Sequence, residues 1–116
     1  MSIANEKEPA PVQGQGDMWY SAIVFTSILY GDTDIIQDMK DRREFGIQKY
    51  GVPLQCHNGR DGLVDAYQEA LDMIVYLTQV SNENLYNDDY VDSINIIRES
   101  IVDSAVELKR LINERN

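Results

Sequence analysis

The sequence predicts an all-α fold of about four helices in a bundle completed by homo-oligomerisation, and three observations carry that reading. Two long segments, about 59–80 and 89–113, repeat apolar residues at three- and four-residue steps. Gly31, and Gly51 with Pro53, close two shorter segments at helix-like lengths. A chain of 116 residues makes one domain with a modest core, which favours association between copies.

Residues 1–16 hold two of the three prolines and the GQG stretch, with no periodicity, and read as a disordered tail. Residues 17–116 then form a single helical domain. Asp17 is placed to cap a helix from Met18 to about Leu29, although aromatic and β-branched residues make a strand the competing assignment. A second helix runs from Asp34 to about Gln48, with Thr33 or Asp32 before it and Ile35, Ile36, Met39, Phe45 and Ile47 on its buried side. Residues 51–59 form a loop, and Asn58 is placed to cap the third helix with Asp61 as the acidic partner of a capping box. Leu63, Ala66, Tyr67, Ala70, Leu71, Ile74, Leu77 and Thr78 share one face of that helix. The polar loop SNENLYNDD leads to the fourth helix, whose apolar steps are Ile94, Ile97, Ile101, Ala105, Leu108 and Ile112.

Twenty acidic residues against ten basic ones leave a net charge of −10. That argues against direct nucleic-acid binding, which needs clustered Lys and Arg. The apolar stretch from Met18 to Tyr30 is too short to span a bilayer, so no membrane partner is expected. Nothing reads as a signal peptide, and a lone Cys56 excludes an internal disulfide; the expected location is a reducing cytoplasm. One Cys and one His make a poor zinc site.

The charges are unevenly spread. Lys40, Arg42, Arg43, Lys49 and Arg60 precede a stretch, residues 61–97, with eight acids and no base. On the third helix Asp61, Asp65, Glu69 and Asp72 fall within an arc of about 80°. Such like charges repel by ~0.2–0.5 kcal/mol per neighbouring pair, so something positive should meet them: a metal ion, a basic segment of the fold or a partner chain. Asp34, Asp38 and Asp41 make a second stripe on the second helix, with Glu44 a turn further on. Two such stripes brought together would offer oxygen ligands of the kind Mg²⁺ or Mn²⁺ takes alongside substrate phosphates. Lys49 and Arg60, flanking the acidic helix, are the leading phosphate contacts, joined by Arg42 and the loop residue His57; Tyr50 and Tyr67 are packing residues or contacts to a base.

The Glu69-x-x-Asp72 spacing in EALD, on a helix entering the apolar MIVYL, resembles the second metal-binding motif of the all-α nucleotide pyrophosphohydrolases, the MazG-like and dimeric dUTPase-like proteins. A longer block, R-x-F-G-x-x-K-Y-G-x-P-L-Q-x-H-N-G-R-D-x-L-x-D-A-Y-Q-E-A-L-D, lies within residues 42–72 and is similar to small phage and prophage MazG-like proteins. The resemblance implies a helical homodimer or homotetramer, in a bacterial or phage-infected cytoplasm, that hydrolyses a nucleoside or deoxynucleoside triphosphate to monophosphate and pyrophosphate with Mg²⁺. Carried over by position, Glu69 and Asp72 become catalytic metal ligands. Where the family has an E-E-x-x-E motif, DMKDRREF offers Asp38, Asp41 and Glu44, and Asp65 stands by as a further ligand. Two other readings compete: a non-catalytic binder that sequesters a nucleotide or cyclic-nucleotide signal, and an acidic inhibitor of a basic protein surface.

Overall fold

The segment from Met18 to Tyr30, open in sequence between helix and strand, is a helix. In the computed structural model, which describes residues 2–83 and 87–115, it is the first of four: α1 (Met18–Tyr30), α2 (Ile35–Tyr50), α3 (Gly62–Glu83) and α4 (Asp88–Glu114). Local chemistry decides for helix: the Asp17 carboxylate accepts the Tyr20 amide at 3.1 Å, and Gly31 closes the last turn with φ 72°. Gly51 ends α2 in the left-handed region, as its position before Pro53 suggests.

The chain divides into two compact units, residues 9–60 and residues 1–8 with 61–116, whereas the sequence reads residues 17–116 as one domain. In the first unit α1 and α2 form a hairpin tied at its open end by the Arg43 Nε–Asp17 Oδ2 ion pair, 2.8 Å. Ile36 is the buried apolar residue of this unit. Its remaining order comes from residues 9–18, which lie along the 51–60 loop rather than forming a featureless tail. The Val12, Gln15 and Met18 amides donate to the Asn58, Cys56 and Leu54 carbonyls, each at 2.8 Å, and the Cys56 amide returns a bond to Gln15. Gly14 makes the approach possible: a Cβ there would lie 2.1 Å from the Cys56 carbonyl oxygen. Gly14→Ala is therefore expected to undock this segment, losing about 2 kcal/mol of local stability. Hydrogen exchange should show the Val12, Gln15 and Met18 amides deprotected; unchanged protection there would refute the account.

The second unit is an α3–α4 hairpin with a coiled-coil-like seam. Paired positions run in opposite directions: Ser81 meets Asn95, Thr78 meets Arg98, Lys109 lies over Tyr67, and Arg115 reaches Asp61. Val64, Ala105 and Ile112 are buried in this seam. The seam is rotated from the face expected on α3, since Val64 is covered and Ala66 is exposed. On α4 the three–four steps run Val91, Ile94, Arg98, Ile101, Ala105, Leu108, Ile112, so Ile97 stands outside, 46% exposed. Residues 3–6 sit on α3, where Gln68 Nε2 donates to the Ile3 and Glu6 carbonyls at 3.0 and 2.8 Å. Residues 84–86 of the expected polar loop lie outside the described residues; on either side, α3 continues to Glu83 and Asn87 caps α4.

Candidate functional site

The acidic stripe of α3 is not chemically uniform. Asp61, expected as the second half of a capping box, is itself the cap: its Oδ1 accepts the Leu63 and Val64 amides at 3.1 and 3.3 Å. Asn58, the expected cap, is buried in the preceding loop, where its side chain accepts the Arg60 amide at 3.1 Å. Helix α3 consequently starts at Gly62, later than the position near Gly59 that the sequence suggests. The outer oxygen of Asp61 pairs with Arg115, which arrives from the end of α4. A basic segment of the fold thus meets the first acid of the stripe.

Arg115 beside Asp61 lowers that carboxyl below the ordinary aspartate value of 3.8; partial burial opposes the shift and the capped amides add to it. At Asp17 burial raises the pKa, but the Tyr20 amide and Arg43 outweigh it and the net direction is again down. Both groups are more acidic folded than unfolded. Their contribution is therefore fully present above the unfolded pKa and is lost as pH falls below it and through the lower folded value. Stability is expected to hold from pH 7 to about 5 and to fall below about 4. In Asp61→Asn the fall should be shallower. Equal slopes in urea titrations of the two proteins would remove Asp61 from the account.

Glu69 and Asp72 differ from Asp61. Both are exposed on the same side of α3, with Tyr76 one turn beyond, and neither has an ion-pair partner among the described residues. Asp65, partly covered, stands between them and the cap. Asp38, Asp41 and Glu44 are exposed on α2, in the other unit, where Asp41 accepts a 2.9 Å bond from Gln37. Among the described residues no three His, Cys, Asp or Glu side chains gather closely enough to hold a metal ion. The donors that remain suit a hard cation bound through one or two carboxylates, with water and phosphate oxygens completing its shell.

The expected phosphate and base contacts are placed as follows. Arg42 lies over Phe45 at 5.4 Å and Lys49 over the exposed Tyr50 at 5.2 Å, all on α2. Arg60 Nη1 donates to the Pro9 carbonyl at 2.8 Å, tethering the amino-terminal segment. His57 is exposed and takes a left-handed φ of 53° in the loop. Tyr67 is half-buried with Lys109 over its ring, 5.6 Å away, which identifies it as a packing residue of the hairpin. Cys56 is a free thiol whose Sγ lies 3.4 Å from the Gln15 carbonyl.

Sequence reasoning overlooked Arg98, the first base after the acidic stretch. It occupies a seam position, donating to Thr78 Oγ1 at 3.2 Å and Asn95 Oδ1 at 3.0 Å, and borders a groove of about 350 Å³ lined also by Ile74, Val102 and Asp103. The three–four steps of α4 contain the signal, because position 98 follows Ile94 by four residues. No helix among the described residues is long and apolar enough to cross a membrane. Comparison with family models, with curated proteins and with solved structures finds no match to this chain.

Proposed function

We propose that the protein is a Mg²⁺- or Mn²⁺-dependent nucleotide pyrophosphohydrolase, releasing pyrophosphate from a nucleoside or deoxynucleoside triphosphate. The observation that carries this reading is the contrast along α3: Asp61 is committed to a cap and an ion pair, while Glu69 and Asp72 stay exposed and without ionic partners among the described residues. The resemblance of residues 42–72 to the MazG-like pattern gives that pair its role. Glu69 and Asp72 hold the ion, which when bound supplies charge neutralisation at the polyphosphate and an acidified water. Three residues apart, the two side chains project from one side of the helix, and the rigid seam beneath keeps their spacing.

A second reading, a binder that holds a nucleotide without turnover, is favoured by the lack of a gathered three-ligand cluster among the described residues. One panel separates the two. Nucleoside and deoxynucleoside triphosphates are incubated with the full chain and Mg²⁺ or Mn²⁺, and pyrophosphate and binding heat are both recorded. Metal-dependent release supports hydrolysis; heat without release supports sequestration. Absence of both, with a basic protein bound instead, would favour the acidic inhibitor and end the nucleotide reading.

A further inference from the structure

We infer that one side of the α3–α4 hairpin is a docking surface for a basic amphipathic helix of another protein. Val75 follows the seam residue Leu71 by four positions, and Val102 follows Arg98 by four. Both therefore leave the seam in the same rotational sense, which in an antiparallel pair puts them on one side. The pairing of Thr78 with Arg98 and of Tyr67 with Lys109 sets Val75 about level with Val102, and Val106 one turn beyond. Ile74 and Val102 wall the groove of about 350 Å³; Val75, 64% exposed, and Val106, 66% exposed, extend its apolar strip. Carboxylates stand on both banks, Asp72 on α3 and Glu99 and Asp103 on α4. All three are exposed, and none has an ion-pair partner among the described residues. The neighbouring bases are engaged elsewhere: Arg98 in the seam, Lys109 over Tyr67, Arg110 with Glu107 and Glu114.

Continuity and charge choose the occupant. The chain already uses the adjoining part of this side to hold a segment of itself: residues 3–6 rest on Gln68, seven positions before Val75 and so on the same side of α3. Between the levels of Asn95 and Val106 the open part runs on for about 16 Å, or about three helical turns. Its walls are helices whose backbone groups are bonded internally, so they offer side chains and no strand edge; a helix suits them better than an extended peptide. A second copy does not fit. Presenting the same side, it would set Asp72, Glu99 and Asp103 against their own kind, and its uncharged α1 would leave all three unmet. Lysine or arginine flanking an apolar stripe meets both the strip and its banks.

This inference is independent of the nucleotide chemistry, and the variants that test it leave Glu69 and Asp72 untouched. The probe is a synthetic peptide of leucine and lysine, about 18 residues long, with leucine at three- and four-residue steps; a scrambled peptide of equal charge is the comparison. In fluorescence anisotropy the full chain should bind the amphipathic peptide at least about 10-fold more tightly than the scrambled one. Val106→Lys, which puts a charge in the strip, and Glu99→Lys, which reverses a bank, should each weaken that binding by about 10-fold or more. Asp32→Lys, the same change of charge in the other unit, should weaken it by less than about 3-fold. All three positions are exposed, so circular dichroism should be unchanged; if Val106→Lys misfolds, Glu99→Lys still decides. Equal binding of the two peptides, or equal losses in Glu99→Lys and Asp32→Lys, would reduce the effect to net charge and overturn the proposal. A dimer mass in ultracentrifugation that Val106→Lys abolishes would give this side to a second copy and overturn it too.

Discussion

Replacing Glu69 by glutamine is expected to cut metal-dependent pyrophosphate release by at least about 100-fold while leaving the fold intact. The amide keeps the size, helix propensity and most of the hydrogen-bonding capacity of the acid, so the change isolates one negative charge. Glu69 is exposed, and losing a charge from a like-charged helix face changes stability by less than about 0.5 kcal/mol. Thermal melting in EDTA should therefore be nearly the same for the two proteins. Adding Mg²⁺ should raise the melting temperature of the native chain and not that of Glu69→Gln, because an ion bound only by the folded state stabilises it by mass action. Asp92→Asn, an exposed acid on α4 away from this side of α3, is the control. Equal turnover in Glu69→Gln and Asp92→Asn would reduce the stripe to a solvated helix surface.

How far such a site is legible in sequence depends on the distance over which its interactions act. The all-helical class and four helices follow from periodicity, and the Asp17 cap and the Gly31 and Gly51 stops from single residues acting within one turn. The docking of residues 9–18 on the 51–60 loop left no comparable trace. It rests on backbone bonds between positions 41 residues apart, such as Gln15 with Cys56, and on a glycine whose need becomes visible only once the two segments meet. Proline and glycine content suggested a tail, yet that composition also suits a segment pressed closely against another backbone.

The same distinction governs the acids. Spacing alone made Asp61, Asp65, Glu69 and Asp72 equivalent members of a stripe. Arg115, 54 positions away, removes Asp61 from that set, and only the antiparallel register of α3 on α4 brings the two together. Arg98 was overlooked for a related reason: choosing the most apolar residues on α4 led to Ile97, whereas packing selects position 98 and accepts a guanidinium satisfied by Thr78 and Asn95. A polar residue in a seam of this kind penalises a shifted register, since any slip would bury the charge without those partners.

The second large effect is expected in the seam. Ile112 is 2% exposed, and in its unit only Val64 and Ala105 are also buried apolar residues among those described. Ile112→Ala removes three carbons from a site with little freedom to collapse, and such changes cost about 2–5 kcal/mol. Domains of this size have about 5–15 kcal/mol in total, so a loss near 3 kcal/mol is a large fraction of what holds the hairpin closed. Val106 is the matched comparison on the same helix: it is 66% exposed, and truncation to alanine gains helix propensity while surrendering little burial. Urea unfolding at one protein concentration should therefore place the Ile112→Ala midpoint well below that of the native chain, and Val106→Ala within error of it or above. The readout should be cooperative, because without Ile112 the end of α4 releases Arg115, and with it the ion pair that steadies the start of α3. Coincident midpoints for the two alanine variants would mean that the seam between α3 and α4 is not where this unit stores its stability.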